Sequence, residues 1–552
     1  LSEGQHILVA GKVELYKTNQ LTNPYFELID SEANEESGKI IPIYHLTAGI
    51  TNLRLLKLVK LAYEAVSPKF TDYLSPALIN KHRLPALTEA VHQLHFPKSS
   101  QQIERARLRV AVDDVLPQQL AAQIKQQALA NSQAPNIATD IEFIKHLVSE
   151  LPWSLTNSQK RATWDILQDL ASGKPMNRLL EGDVGSGKTV VAMIAAAMTN
   201  QAGFQTLILA PTEILAKQHY ETFQKLLPQY TDQIGLLTSG IVLSGKQSVS
   251  KTDWWKDAES EKLGIMIGTH AILKQDLPLP KLGLIIIDEQ HRFGVGQRAF
   301  LGKQHQGETI PHLLSMSATP IPRTLALSFF GGLQISQLQT LPTGRQKITT
   351  KLLNESGRTE AYKKIAAEIS IGRQAFIITP KVEESESAIK SVKTEFERLQ
   401  KLFPQFKLGL VYGGLKSTAK ELVMKQFAKG ELDILVATTV IEIGIDVPNA
   451  TVILIEGAEN FGLAQLHQVR GRVGRGQHPS FCYLFTTDDQ HLDNDRLKIF
   501  ETITDGFILA EHDLAQRGFG DLFGQEQSGF NFRYPKFITT EALKLSLSLI
   551  HI

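Results

Sequence analysis

The sequence predicts an α/β protein built mainly from two consecutive parallel-sheet domains, and three observations carry that prediction. From Pro152 onward, short apolar strands alternate with helices, at Thr206 to Leu209, Leu284 to Ile287 and His312 to Ser315. Such alternation calls for a parallel sheet with helices on both faces. After a break at Leu341-Pro342-Thr343-Gly344-Arg345 the same texture starts again, at Ala375 to Ile378, Leu408 to Val411, Ile434 to Val436, Val452 to Ile455 and Phe481 to Phe485. Finally, GDVGSGKT (Gly182 to Thr189) lies between the apolar pair Leu179-Leu180 and the small-residue helix Val190 to Met198. This is a strand, a glycine-rich turn and a helix start in the order a phosphate needs.

Composition bounds the rest. At 552 residues the chain is too long for one core, and a prior of about 100–200 residues per domain gives three or four. An apolar fraction of 42% and a charged fraction of 21% are those of a soluble globular protein. Lysine plus arginine (58) nearly cancels aspartate plus glutamate (57), so a nucleic-acid site must be a local basic surface. The single cysteine, Cys482 in FCYLF, rules out an internal disulfide framework or a cysteine zinc cluster, and is expected to be buried and inert. No apolar stretch is long enough for a membrane span and no signal peptide is visible, so the expected compartment is the cytoplasm, with no membrane partner. The chain opens on Leu1 rather than Met, which is read as a truncated N-terminus.

In chain order, HILVAGKVELY, YFELI and KIIPIY read as strands of a small β unit over His6 to Tyr44, separated by polar turns at Asn23-Pro24 and Asp30 to Ser37. Leu53 to Val66, Pro85 to Leu94 and Ser99 to Leu129 carry helical spacing, with a glutamine-rich surface at Gln118 to Gln127. Arg105, Arg107 and Arg109 read as a solvated face. Asn131 to Ala138 reads as a loop, Ile141 to Leu151 as a helix, and Arg496 to Phe523 as helices ending in a glycine-rich turn.

Three stretches carry chemistry. Glycines 182, 185 and 187 let successive N–H groups turn inward around an anion at a helix N-terminus. Lys188 then supplies a charge for the β and γ phosphates and Thr189 a hydroxyl for Mg²⁺. The plain alternative is a glycine turn with a solvated lysine, against which the full G-x-x-x-x-G-K-T pattern argues. Asp288-Glu289, at the end of a buried strand, can hold Mg²⁺ through water and polarise the attacking water. An acidic pair after a strand is also a common polar turn, but here it shares a domain with the phosphate loop. In QVRGRVGRG, Gln468 to Gly476, the second domain offers arginines spaced to place two on one ligand, so that chemistry would require the two domains to close. A solvated basic loop would leave so many glycines unexplained.

Ordered motifs now accumulate: LTNSQ (Leu155 to Gln159), APTEILAKQH (Ala210 to His219), GTHAIL (Gly268 to Leu273), DEQHRFGVGQR (Asp288 to Arg298), SATPIPRT (Ser317 to Thr324), TTVIEIGIDVPNA (Thr438 to Ala450) and FGLAQLHQVRGRVGRG (Phe461 to Gly476). With them the chain resembles the superfamily 2 helicases, and among these the bacterial RecG-type branch-migration helicases. PIYHLTAG (Pro42 to Gly49), LHFPKSS and ARLRV resemble the segment joining that family's wedge to its motor. TITDGFILAEHDLAQRGFGDLFGQEQSG (Thr502 to Gly529) resembles its helical-hairpin translocation motif, shared with the transcription-repair coupling factor.

The resemblance implies two RecA-like domains, an ATP-binding one at 151–342 and a C-terminal one at 343–487. It further implies a partial oligonucleotide-binding-fold wedge at 1–50, a helical linker at 51–150, and a translocation hairpin with a truncated C-terminal region at 488–552. Gln159 would read the adenine edge, and Gly182, Asp183, Val184, Gly185, Ser186, Gly187, Lys188 and Thr189 would hold phosphate and Mg²⁺. Asp288 would hold the metal and Glu289 act as base. Asp446 would approach the ribose, and Arg472 and Arg475 the γ-phosphate. Gln290, His291, Ser317 and Thr319 would couple the cleft to DNA, while Thr212, Glu213 and Thr438 belong to motifs that face the nucleic-acid track, with helix caps or strand ends as the alternative. Arg517 and Gln527 match the hairpin motif; Phe519, Asp521 and Gln525-Glu526 depart from its usual wording. Tyr412-Gly413 stands where the family has His-Gly, and the tail LKLSLSLIHI (Leu543 to Ile552) does not resemble the family's C-terminus. That tail is read as artefactual, with a terminal helix or strand as the alternative.

The expected function is an ATP- and Mg²⁺-dependent DNA translocase and helicase, monomeric, acting on branched or duplex DNA such as stalled forks and Holliday junctions. Its DNA grip would be sequence-independent and salt-sensitive. No sequence feature specifies a contact with single-strand-binding protein. The alternatives are a transcription-repair coupling translocase, against which Gln290-His291 count, and a non-hydrolysing nucleotide-gated clamp, which intact Lys188, Glu289 and Arg475 oppose. An RNA helicase would normally carry DEAD or a close relative in the second motif.

Overall fold

The structure, a computed structural model, describes residues 6–16, 18–29, 40, 42–47, 49–269, 272, 279, 281–289, 309–318, 333–340, 347–380, 386–438, 447–517 and 532–550. It divides into two compact units, one formed by 1–117 with 532–552 and the other by 118–531.

In the first unit, β1 (His6–Tyr16) and β2 (Thr18–Ile29) form an antiparallel hairpin. Asn23-Pro24, expected as a turn, lies inside β2. Ala10 pairs with Tyr25 and Lys12 with Thr22, so the two residues bulge out opposite Gly11. A proline has no N–H to give to a ladder, and a bulge is where a strand tolerates it. Of KIIPIY, the described residues 40 and 42–44 form no strand, and side chains hold Pro42 and Tyr44 instead. The Tyr44 N–H donates to Asn52 Oδ1 at 3.0 Å, and its hydroxyl pairs with His95 Nδ1 at 2.9 Å.

Behind them come helices at Asn52–Val66, Pro76–Lys81 and Leu87–His95, and the start of the long helix Ser100–Ala130. Arg105 and Arg107 are exposed as expected, but Arg109 is not on a solvated face. It is completely buried, with its guanidinium on Asp72 at 2.7 Å, on Asp113 at 2.9 Å and on the Pro85 carbonyl at 3.0 Å. The helix positions Asp113 one turn away, whereas Asp72 arrives from 37 residues upstream, which no local pattern announces. The terminal tail is helical over Thr540–Ile550, and its Ala542 packs among Ala111, Val112 and Leu108.

Among the described residues the second unit holds two sheets. The first contains β3 (Asn177–Gly182), β4 (Gln205–Leu209), β5 (Ile234–Leu237), β6 (Val242–Ser244), β7 (Gln247–Ser248), β8 (Ile265–Gly268), β9 (Leu282–Ile287), β10 (His312–Ser317) and β11 (Gln334–Leu338). Their order is β11-β3-β10-β9-β4-β8-β5-β6-β7, parallel as far as β5 and antiparallel at its β6–β7 edge. The second sheet is wholly parallel: β12 (Ile348–Leu353), β13 (Gln374–Ile378), β14 (Leu408–Val411), β15 (Ile434–Ala437), β16 (Ala450–Ile455) and β17 (Ser480–Phe485), in the order β12-β17-β16-β13-β15-β14. These are the two RecA-like domains the sequence leads one to expect. The break at 341–345 lies outside the described residues.

Burial explains the apolar strands. β4, β5, β8, β13, β15 and β16 are buried at every position, as strands covered by helices on both faces must be. The helix Lys188–Gln201 is likewise buried at every position from Val190 to Thr199. Its alanines let it lie close to the sheet, which fixes the point from which it leaves the phosphate loop. Cys482 is fully buried in β17, as expected, and burial pushes its thiol up to about 12.

Candidate active site

Sheet register assembles the site. β3 lies between β11 and β10, and β10 lies between β3 and β9. Ser317 pairs with Glu181, and Ser315 with Ile287. The chain therefore leaves three adjacent strands at one carboxyl edge, delivering Gly182, Asp288 and Ala318 side by side, at the edge where open parallel sheets bind ligands.

From β3 the chain turns through Asp183–Gly187 into the helix that begins at Lys188. Gly185 and Gly187 sit at φ +78° and +89°, the left-handed region that bulkier residues avoid. A Cβ on Gly187 would also fall 2.1 Å from Gln159 Nε2. Gln159 itself is buried behind the loop. It closes a capping box with Thr156, accepting the Thr156 N–H at 2.8 Å, and donates to the Ser186 carbonyl at 2.8 Å. Lys188 Nζ reaches back to the carbonyls of Gly182 (2.7 Å) and Asp183 (3.1 Å). Burial pushes its ammonium below the usual lysine range, against the pull of Glu289, Asp288 and Asp183.

Asp288 follows β9 directly and is 9% exposed. Burial works against its charge, yet His219 at 2.8 Å and the nearby Lys188 hold the carboxyl below the usual carboxylate range. His219 comes from the helix Glu213–Leu226. His219 lies inside the motif APTEILAKQH, where the sequence offers as its one signal a histidine on an inward helix face. Glu289 takes φ +51°, a strained backbone for a non-glycine residue and one that concentrates at working sites. Its Oε2 accepts from the Ala318 N–H at 3.5 Å.

The second sheet supplies the positive charge. Helix Leu463–Arg470 ends in the glycine-rich turn that carries Arg472, 7% exposed, and Arg475, whose Nε donates to the Gly471 carbonyl at 3.1 Å. Both arginines line the same cleft of about 500 Å³ as Lys188, Thr189, Asp288 and Glu289. Val184, Gly185 and Gly187 line it too. Asp183 turns the other way, its carboxylate on His467 Nε2, a pairing across 284 residues that the sequence did not reveal.

Other expected residues fall elsewhere. Thr212 caps the helix Glu213–Leu226, accepting the Leu215 N–H at 3.4 Å, and Glu213 accepts the Ser239 N–H at 2.9 Å. Ser317 is the buried last residue of β10 and Thr438 the buried residue after β15. Gln290, His291, Thr319, Asp446 and Gln527 lie outside the described residues, as does the side chain of Arg517, which ends the helix Gly506–Arg517. Among the described residues there is no cluster of three or more His, Cys, Asp or Glu side chains that could hold a metal by themselves, and no helix is long and apolar enough to cross a membrane.

Comparison with known proteins agrees with this layout. Residues 156–327 match the DEAD/DEAH box helicase family, and residues 358–477 the helicase conserved C-terminal domain. The chain is 41% identical over 553 aligned residues to the ATP-dependent DNA helicase RecG of Aquifex aeolicus, covering 96% of this chain and 69% of that protein. It is 40% identical to the ATP-dependent DNA helicase RecG of Thermotoga maritima, covering 96% and 67%. Among solved structures it is similar to RecG bound to a three-way DNA junction, with a TM-score of 0.77, 36% identity, and coverage of 99% of this chain and 71% of that one. It shares only its fold with the DUF1998 helicase MrfA bound to DNA, at 17% identity and a TM-score of 0.51, covering 68% of this chain and 55% of that one.

Proposed function

Because the chain belongs to the RecG family of ATP-dependent DNA helicases, we propose that the cleft between its two parallel sheets hydrolyses ATP to drive the protein along branched DNA. The work would be stalled-fork regression and Holliday-junction branch migration in recombination and repair, done by a monomer in the bacterial cytoplasm. One observation carries this reading: a phosphate loop and an Asp-Glu pair from one sheet share a cleft with two arginines from the other.

The residues divide the labour. The loop N–H groups and Lys188 would take the phosphates, Lys188 exchanging the carbonyls of Gly182 and Asp183 for phosphate oxygens. Mg²⁺ fits the donor set, since Thr189 and the ionised, buried Asp288 face the same cleft; when bound, the ion neutralises and orients the phosphates. Glu289 would accept the proton of the attacking water. Arg472 and Arg475 would meet the charge that develops on the transferred phosphoryl group, so turnover requires both sheets to be in place. We assign the first motor domain to 151–342, the second to 343–487 and the translocating hairpin region to 488–552. Ser317, Thr438, Thr212 and Glu213 would pass the state of the cleft to DNA, as would Gln290, His291 and Thr319.

The test is ATP turnover with no DNA, with linear duplex and with a three-way junction. The proposal expects the junction to stimulate most. Equal stimulation by linear duplex would leave a translocase that does not read branches, and no turnover on any substrate would overturn the assignment.

A further inference from the structure

Resting on the cleft being an ATP site, we propose that His467 is a positioning residue that carries the conformation of the phosphate loop into the segment Phe500–Thr504 and the helix that follows it.

The loop end of this link is Asp183. Its carbonyl accepts from Lys188 Nζ at 3.1 Å while its carboxylate meets His467 Nε2. Any event that draws Lys188 towards a phosphate releases the Asp183 carbonyl, so the loop cannot change its grip without disturbing the residue that His467 holds.

At the other end, His467 Nδ1 lies 3.1 Å from Arg470 Nη2. A guanidinium can only donate, so Nδ1 must be the acceptor, and the imidazole proton is on Nε2, pointing at Asp183. The imidazole is thus a neutral bridge of fixed tautomer between a carboxylate and a guanidinium. Arg470 is 2% exposed and stacks on Phe500, 4.2 Å from the ring centroid. Its Nη1 donates to the carbonyls of Phe500 (3.0 Å) and Ile503 (3.0 Å), and its Nη2 also to that of Thr504 (3.1 Å). Those residues form the end of the helix Asp495–Thr502 and the turn into Gly506–Arg517.

A second approach bypasses Arg470. Gly506, the first residue of that last helix, lies so close to the ring that a Cβ added there would fall 2.5 Å from His467 Nε2. The helix start and the phosphate loop therefore both flank the same ring atom. His467 is 6% exposed and belongs to a cavity of about 340 Å³, distinct from the nucleotide cleft, which Asp183, Arg470, Thr504 and Asp505 also line. Nothing in the hydrolysis chemistry uses it.

The experiment compares wild type, His467→Phe and His467→Gln as full chains, reading base pairs separated per ATP hydrolysed on a three-way junction. Glutamine can accept from Arg470 through its oxygen and donate to Asp183 through its nitrogen, whereas phenylalanine can do neither. The coupling ratio should fall at least about fivefold in His467→Phe and return to near wild type in His467→Gln. An unchanged ratio in His467→Phe overturns the proposal. So does an equal fall in both variants, which would mark a packing role only. Absence of ATP turnover in the wild type would count instead against the cleft assignment, and melting curves of the three chains identify a variant that fails to fold.

Discussion

The two parallel sheets of the second unit are built alike and equipped oppositely. The nine-stranded sheet delivers its chemistry directly from strand ends: Gly182 as the last residue of β3, Asp288 after β9 and Ala318 after β10, on adjacent strands in parallel register. The six-stranded sheet delivers Arg472 and Arg475 from a turn beyond a helix, one step removed from the strands. The first arrangement suits a binding cradle that must be preformed. The second suits charge that must arrive and withdraw, because a helix and its turn move as a body with their domain. On the proposed function, one half would bind and the other would trigger.

That contrast can be broken from either side. The largest effect is expected for Arg475→Ala, which should lower single-turnover ATP hydrolysis by about 10³-fold or more while nucleotide still binds, as followed by fluorescent-nucleotide titration beside quench-flow. Glu289→Gln comes next, with hydrolysis down by about 10²–10⁴-fold and nucleotide binding retained. Away from the motor, Arg109→Ala should leave Asp72 and Asp113 without their partner and lower the stability of the first unit by about 3–5 kcal/mol, read by hydrogen exchange over residues 72–113. Gly187→Ala forces a left-handed backbone and a clash with Gln159. It should cost about 1–3 kcal/mol in thermal unfolding and weaken nucleotide binding. The smallest effect concerns Cys482, whose buried thiol should stay unlabelled by maleimide in the native chain and react only on unfolding.

The sequence made the nucleotide-binding half readable because its chemistry is local. Eight residues from Gly182 to Thr189 contain the turn, the anion site and the helix start, and Asp288-Glu289 follow an apolar run that can only be a buried strand. Where partners come from afar, residues kept their generic meanings. Arg109 read as a surface charge since Asp72 is distant in sequence, and His467 passed unnoticed since Asp183 lies in the other sheet's loop. Short or polar strands were lost for another reason: β7 is two residues, Gln247–Ser248, and β11 reads QISQL, so neither offers enough apolar periodicity to stand out. KIIPIY misleads in the opposite sense: it is apolar enough for a strand, yet its described residues form none, and Tyr44 is tied to Asn52 and His95. Side-chain hydrogen bonding, which hydropathy does not register, decided that segment.

The central claim is that a single chain completes its own cleft, binding nucleotide with one sheet and triggering hydrolysis with the other. The most direct test mixes equal amounts of Lys188→Ala and Arg475→Ala chains and measures ATP turnover on a three-way junction. Lys188→Ala lacks the phosphate-binding charge but keeps the arginines, and Arg475→Ala is its complement. The structure predicts that the mixture is as inactive as either variant alone. Recovery of turnover on mixing would show that the arginines act on a neighbouring molecule's nucleotide, and would contradict the account.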